Sequence, residues 1–266
     1  MRKKFLRSLY KLFPFDLKGD CLEFKSKKTP LKLSCVINFY GRLDLLSGIL
    51  HSLSRQDYPR ELFEVVLVED QGGTVAGRDL CESFSETLQI VYKPLTENFG
   101  KMGHSRNFGL SNTQGEYVLF LDDDTVILQQ DFLRELIRQF DGRPEVDAII
   151  PHGKASYAMI EGIYDYHDPY FMTSRCMAYR RQALQDLGGF VGAIIGQEDV
   201  EFVVRFSMAG KAAIRCENLN YYHPPLLAPD FRKPAAVGQS FFRLKCRYTF
   251  IVWFLLLLNC CRHAPL

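Results

Sequence analysis

The chain lacks several features that would define a protein class directly. Its eight cysteines form no CxxC pair and no cysteine–histidine cluster at zinc spacing, which argues against a disulfide framework or structural zinc and favours a reducing compartment. No apolar run reaches the roughly 20 residues that a membrane-spanning helix needs. The formal net charge is only +2, so the total charge gives no support to a nucleic-acid partner.

What remains is an ordinary globular composition with two unusual ends. The 266 residues are 47% hydrophobic and 24% charged, which suffices for one large domain with appendages. Residues 1–13 resemble a signal peptide only briefly, because Arg7 and Lys11 interrupt the apolar stretch, and they predict a basic helix on a membrane surface. The apolar residues 248–258 predict an interfacial, re-entrant or partner-docked helix, with a buried core helix as the alternative.

Strand and helix patterns alternate along the first 150 residues. Short apolar runs predict buried strands, over residues 33–39, 63–68, 88–92, 117–121 and 146–150. Amphipathic spacing predicts the intervening helices, over residues 44–55, 78–87, 105–110 and 131–140. We expect Asp44 to cap the first helix. This alternation is typical of a parallel, doubly wound α/β sheet whose functional loops meet at one edge.

The second half of the chain is less regular. Residues 153–181 are rich in tyrosine, histidine and small residues, which favours hairpins or loops. A helix is predicted over residues 198–208 and a short strand over residues 212–215.

The segment GEYVLFLDDDTV carries the strongest functional signal. A strand that is apolar on both faces ends in Asp122, Asp123 and Asp124 without a spacer. Three adjacent carboxylates repel one another in a low-dielectric site, so we expect a hard divalent cation beside them. The outer two side chains of an extended DxD segment point to one face and can share a metal. A solvated acidic turn is the simpler alternative.

Three further positions combine chemistry with a suitable context. The pair Glu198 and Asp199 opens a predicted helix, where the acids either favour the helix dipole or supply a general base. Arg106 follows a glycine-containing loop and either clamps an anion or lies on the surface. His223 is expected beyond the last strand, either as a third metal ligand beside carboxylates or as a structural histidine.

Six segments resemble, in order and spacing, those of family 2 glycosyltransferases, which have the GT-A fold. They are SCVINFY, VVLVEDQGG, NFGKMGHSRNFGL, GEYVLFLDDDT, RCMAYRRQALQDLGGF and GQEDVEFVVRFSMAG. The resemblance implies a Rossmann-like, mostly parallel sheet flanked by helices within residues 31–225. Residues 1–30 would then be a basic amphipathic extension, and residues 226–266 a basic, apolar tail that associates with membranes.

The resemblance also implies which residues bind the donor. Tyr40 belongs to the first segment and would lie beside the nucleotide sugar. Asp70, with Glu69, would contact the base, and Arg106 would lie near the base or the diphosphate. Asp122 would contact the ribose or metal-bound water.

A metal site and a catalytic base follow from the same resemblance. Asp124, with Asp122 and His223, would ligate Mn²⁺ or Mg²⁺ that bridges the donor's diphosphate. Asp123 lies in the same donor-binding turn, although strand alternation turns its side chain away from the metal.

In the acceptor half, Asp199 would be the base of an inverting transfer, with Glu198 beside it in the acceptor site. The expected reaction moves one sugar from a nucleotide diphosphate sugar, a UDP-sugar, to a glycan or lipid-linked acceptor in envelope or polysaccharide synthesis. The basic ends predict a cytoplasmic protein held peripherally on the inner face of the membrane.

Two other functions are open to this sequence. A sugar-nucleotide nucleotidyltransferase has a similar sheet, but it needs a glycine-rich phosphate loop, and residues 38–42 contain only Gly41. A non-catalytic, membrane-associated module that binds sugar nucleotides is the second alternative. The intact acids at positions 122, 124, 198 and 199 argue against it.

Overall fold

A computed structural model describes residues 8, 11–13, 16–21, 23–24, 30–155, 174–223, 232–245 and 247–254. Its strands are, in chain order, β1 (Leu33–Phe39), β2 (Phe63–Glu69), β3 (Ile90–Pro94), β4 (Tyr117–Asp122), β5 (Ala148–Ala155), β6 (Cys176–Arg180) and β7 (Ala213–His223). The helices are α1 (Leu43–Ser54), α2 (Val75–Ser83), α3 (Met102–Ser111), α4 (Phe132–Asp141), α5 (Arg181–Asp186), α6 (Glu198–Met208) and α7 (Arg232–Leu244).

The seven strands form one sheet in the order β3-β2-β1-β4-β6-β5-β7. The first four strands are parallel, as the alternating pattern predicts. Their register places Asn38 opposite Asp122, and Phe39 opposite Glu69. The polar ends of three strands therefore meet at one edge of the sheet, where open α/β sheets bind their ligands.

The second half of the sheet departs from the predicted parallel pattern. Within residues 153–181, where hairpins or loops are predicted, residues 176–180 form β6 of the main sheet and Arg181 begins α5. Strand β6 is buried and runs antiparallel to both β4 and β5. Its sequence CMAYR is too short and too mixed to show a strand period, and only burial on both faces reveals it. Residues 156–173 of the same region lie outside the described residues.

Strand β7 is longer than predicted because it extends through residue 223. It pairs with β5 in parallel, and the register shifts by a bulge between Pro151 and His152. His223 is therefore the last residue of a sheet strand, which corrects its expected place beyond the strands. The strand predicted over 212–215 covers only the start of β7. Exposed polar side chains interrupt the later residues of β7, so no apolar run marks them as a strand.

Helices cover both faces of the sheet, and successive strand residues pack on opposite sides. Cys35 and Ile37 join a cluster with α1 and α4, whereas Val36 joins a cluster with α5 and α6. Helix α1 begins at Leu43 with no side-chain cap, so the expected capping by Asp44 is wrong. Asp44 lies one residue inside the helix, where its charge still favours the helix dipole.

The chain ends pack against the loops on the α6 side. The amides of Gly19 and Cys21 donate to the carbonyls of Leu187 and Gly188 at 2.7 and 2.8 Å. Beyond α7, residues 250–254 are helical. Among the described residues, no helix combines the length and apolar character needed to cross a membrane. Most of residues 1–13 and all of residues 255–258 lie outside the described part, so the helix predicted for each is not tested.

Candidate active site

The centre of the acidic edge is the turn that follows β4. A two-way backbone bond at 2.8 Å joins Val126 to Tyr222, and it draws the end of β7 against this turn. Oxygens of Asp122 and Asp124 and a ring nitrogen of His223 consequently lie within 4.8 Å of one another. His223 Nε2 is 3.0 Å from Asp124 Oδ1 and 3.7 Å from Asp122 Oδ2.

These three side chains offer the ligand set that suits Mn²⁺ or Mg²⁺ with carboxylates and one imidazole. Burial opposes protonation of His223, but the two aspartates outweigh that effect and raise its pKa to about 9. Burial likewise opposes ionisation of Asp122, yet His223 and Arg106 lower its pKa. The two aspartates and His223 therefore attract one another at the position where a cation would be bound. The residues fit the metal that the sequence predicts.

Arg42, which the sequence analysis missed, completes the charge balance of this turn. Its Nε donates to Asp123 Oδ2 at 3.2 Å, its Nη2 donates to Asp123 Oδ1, and its Nη1 donates to Asp124 Oδ2 at 2.9 Å. Asp123 is buried and lies outside the group of candidate metal ligands, in keeping with strand alternation. Burial raises the pKa of Asp123 to about 6 although Arg42 opposes that rise. The sequence signal that could have identified Arg42 is its position at the N-terminal end of α1, directly after β1.

Arg106 connects the acidic turn to the start of α6. It is 3% exposed, and its Nη2 donates to Asp122 Oδ1 at 3.1 Å while its Nε donates to Glu198 Oε1 at 2.6 Å. The guanidinium also lies over the Phe120 ring, 5.6 Å from its centroid. Its Nη1 is buried and has no partner among the described residues. The remaining donor can therefore serve a bound anion.

The two acids that open α6 have different surroundings. Glu198 is 4% exposed and pairs with Arg106, and its expected place in the acceptor site stays a prediction. Burial raises its pKa to about 7, against the opposing effect of Arg106. Asp199 is partly exposed, and its Oδ2 accepts the Ser174 amide at 3.2 Å. Burial also raises the Asp199 pKa. Asp199 is thus the member of the pair that an acceptor can reach.

The end of β2 forms a second carboxylate site. Asp70 Oδ2 accepts the Gly100 amide at 2.8 Å, and its side chain is partly exposed. Glu69 is buried, and its oxygens accept the Thr74 hydroxyl at 2.7 Å, the Thr74 amide at 3.0 Å and the Tyr92 hydroxyl. Glu69 therefore fixes the turn before α2, and Asp70 alone remains accessible beside it.

Tyr40 follows β1 at the same edge of the sheet. Its side chain is 57% exposed, although tyrosine is a large and largely apolar residue. The structure thus brings Tyr40, Asp70, the acidic turn and Asp199 to the carboxyl ends of β1, β2 and β4 and the start of α6.

This sheet with its acidic edge and a base candidate opposite defines a GT-A fold. The model of the family described as "Glycosyl transferase family 2" matches residues 34–188. The chain therefore belongs to glycosyl transferase family 2.

Sequence comparison finds a relative in Staphylococcus aureus, poly(ribitol-phosphate) β-N-acetylglucosaminyltransferase TarS. It is 34% identical over 97 residues, which are 36% of this chain and 17% of the relative. The matched part is thus about a sixth of that relative's length, so its whole activity does not transfer with the match.

Solved structures share the fold. TarS residues 1–349 in complex with UDP-GlcNAc match with a TM-score of 0.63 and 23% identity, over 75% of this chain and 60% of that chain. Mannosyltransferase PcManGT from Pyrobaculum calidifontis, in complex with GDP-Man and Mn²⁺, matches with a TM-score of 0.62 and 19% identity, over 96% and 76%.

Proposed function

We propose that the protein is an inverting, metal-dependent glycosyltransferase that moves one sugar from a UDP-sugar to a hydroxyl group. The observation that carries the proposal is the convergence of Asp122, Asp124 and His223 into one ligand set, linked through Arg106 to the start of α6. The solved relatives bind UDP-GlcNAc or GDP-Man with Mn²⁺, which supports a nucleotide diphosphate sugar as the donor.

The donor binds along the acidic edge of the sheet. Asp70 accepts hydrogen bonds from the base, because carboxylate oxygens that already accept one backbone amide keep further lone pairs. The exposed ring of Tyr40 lies against the nucleoside. Asp122 and Asp124, with His223, would hold Mn²⁺ or Mg²⁺, and the unpartnered Nη1 of Arg106 would donate to the phosphate oxygens. The cation, when bound, neutralises charge on the departing nucleoside diphosphate.

Asp199 acts as the general base for the acceptor. Its carboxylate takes the proton of the acceptor hydroxyl while that oxygen forms a bond to the anomeric carbon. The bond from the anomeric carbon to the phosphate oxygen breaks on the opposite side, so the configuration inverts. Glu198, beside Asp199, accepts a hydrogen bond from Arg106 and thereby holds that guanidinium between the two halves of the site.

The acceptor is a glycan or a lipid-linked sugar of envelope or polysaccharide synthesis, used at the inner face of the cytoplasmic membrane. The C-terminal segment supports this location. Four large apolar side chains are exposed there: Phe242 (69%), Phe250 (67%), Ile251 (43%) and Phe254 (44%). No acid follows Asp230, whereas six basic residues do. Such a surface suits an anionic bilayer.

Vesicle binding tests the location. Trp253 is the only tryptophan, so a blue shift of its emission with vesicles of anionic lipid reports docking of this segment. The double variant Phe242→Ser, Phe250→Ser should lose the shift, whereas Leu128→Ser, also at an exposed leucine, should keep it. An equal blue shift of the Trp253 emission in both variants would contradict docking through this surface.

The reaction is tested with a panel of UDP- and GDP-sugars, with and without Mn²⁺, using membrane extract as the acceptor source. We expect one donor to give metal-dependent release of nucleoside diphosphate and a product of inverted configuration. Release of inorganic pyrophosphate from a nucleoside triphosphate supplied together with a sugar 1-phosphate would favour the nucleotidyltransferase. Binding without turnover of any donor would favour the non-catalytic module.

A further inference from the structure

Helix α7 of the C-terminal segment holds the loop that leads into the acids of α6. Ser240 is 1% exposed, and its Oγ accepts the consecutive amides of Ile195 at 2.9 Å and Gly196 at 3.3 Å. About one turn further along the helix, Arg243 Nη1 donates to the Ala193 carbonyl at 3.0 Å. Three residues of the loop, at positions 193, 195 and 196, are therefore fixed by two side chains of α7.

The loop needs such support because its last residue has an unfavourable backbone conformation. Gln197 has φ 68°, in the left-handed region that residues other than glycine rarely adopt. No side chain caps α6 at this position. A strained residue of this kind persists where its surroundings fix it, and such residues cluster at functional sites. Here the strained residue immediately precedes the acidic pair.

Apolar and polar contacts extend the same attachment. Phe241 and Leu244 of α7 pack with Ile194 of the loop in one buried cluster. Beyond the helix, the Tyr248 hydroxyl donates to Glu201 Oε1 inside α6. The C-terminal segment lies outside residues 34–188 that match the family model, yet it contacts both the loop and the helix that carry Asp199.

We propose that Ser240 is a positioning residue for Asp199, and that α7 is part of the acceptor half of the active site. This inference rests on the proposed role of Asp199 as base. By holding two adjacent amides, Ser240 sets the path of residues 192–197 and with it the direction in which α6 presents Asp199. The donor half lies at β1, β2 and β4 and should not depend on Ser240.

The inference changes how the C-terminal segment can be studied. A deletion from residue 231 onward would remove the exposed apolar surface and the loop support together. Loss of activity in such a deletion would therefore not identify membrane docking as the cause. Point variants separate the two, because Phe242 faces solvent while its neighbour Phe241 and nearby Ser240 are buried.

Hydrogen exchange of the full-length chain tests the contact directly. Ser240→Ala should raise the exchange rates of the Ile195 and Gly196 amides about tenfold, since each loses its acceptor. Gln239→Ala, at an exposed neighbour on the same helix, should leave both rates unchanged. Ser240→Thr keeps the hydroxyl oxygen and should restore protection. If Ser240→Ala fails to fold, Arg243→Met removes the second support and should raise exchange at residues 193–196.

Kinetics with the donor selected from the panel test the consequence for catalysis. We expect Ser240→Ala to lower kcat about tenfold or more with little change in donor KM or in UDP affinity, and Ser240→Thr to recover kcat. Unchanged exchange in Ser240→Ala, or faster exchange with unchanged kcat, would overturn the inference. Hydrogen exchange needs no turnover. It therefore tests the contact of Ser240 with the loop even if the proposed transferase activity fails.

Discussion

At the scale of single residues, charge pairing explains how so many acids share one edge of the sheet. Asp123 is buried against Arg42, the partly exposed Asp122 pairs with Arg106, and Asp124 lies between Arg42 and His223. Each carboxylate therefore has a cationic neighbour before any metal binds. The run of aspartates could be read as a metal site from the sequence, but their partners could not, because Arg42 and Arg106 are distant in sequence.

Replacing Arg42 should change metal affinity in a defined direction. Its guanidinium repels a divalent cation at Asp124, so Arg42→Met should tighten Mn²⁺ binding about tenfold in the absence of donor. Isothermal titration calorimetry with Mn²⁺ measures this change. Arg55→Met, at the opposite end of α1, is the matched control and should bind Mn²⁺ like the wild type. Equal or weaker binding by Arg42→Met would contradict this role.

The acid limb of the pH–rate profile should report the environment of Asp199. Burial raises the pKa of both Asp199 and Glu198, and Arg106 opposes the rise in each. The base is active only when ionised, so activity should fall as the pH drops through the raised pKa. Arg106→Met removes the opposing charge and should move the limb to higher pH, whereas Arg106→Lys should leave it near its wild-type position.

The position of the acid limb is measured as kcat/KM between pH 4 and pH 8 for the wild type, Arg106→Met and Arg106→Lys. The limb can be located even where absolute activity is reduced. A limb that stays in place in Arg106→Met would mean that the titrating group is not beside Arg106.

At the scale of elements, the sequence predicts those strands whose own residues form a buried apolar run. Strands β1, β2 and β4 were predictable because they are buried runs, and α6 was predicted over residues 198–208 as observed. Strand β6 was missed because its identity depends on its neighbours β4 and β5. The far end of β7 was missed for the same reason. The sequence therefore did not show how His223 comes to lie beside Asp122 and Asp124.

Close packing between α3 and the loop that precedes α6 should make Gly103 irreplaceable. A Cβ at Gly103 would lie 2.0 Å from the Val191 carbonyl oxygen, so Gly103→Ala must displace the loop backbone and should destabilise the fold by about 2 kcal/mol. Gly48 in α1 has nothing within 4 Å of its Cβ position, and Gly48→Ala should stabilise by about 0.5–1 kcal/mol. Urea unfolding compares the two, and similar midpoints would contradict this packing argument.

At the scale of the molecule, the sequence predicted a GT-A sheet with an acidic edge, and the family match confirms the class. It could not predict that the two terminal segments pack onto the loops that precede α6. Asp20 illustrates this arrangement, since its carboxylate accepts both the Gly192 amide at 2.8 Å and Arg247 at 2.7 Å. Such contacts join residues more than 170 positions apart, and no local period encodes them.

If the roles are divided as proposed, Asp122, Asp124 and His223 should hold the cation that binds the donor's diphosphate, while Asp199 should act only on the acceptor. Calorimetric titration of UDP in the presence of Mn²⁺ tests it with Asp124→Asn and Asp199→Asn. We expect Asp124→Asn to lose metal-dependent UDP binding. Asp199→Asn should bind UDP normally and lose transfer by about 10²–10⁴-fold. Wild-type UDP affinity in Asp124→Asn, or near-normal transfer by Asp199→Asn, would contradict the claim.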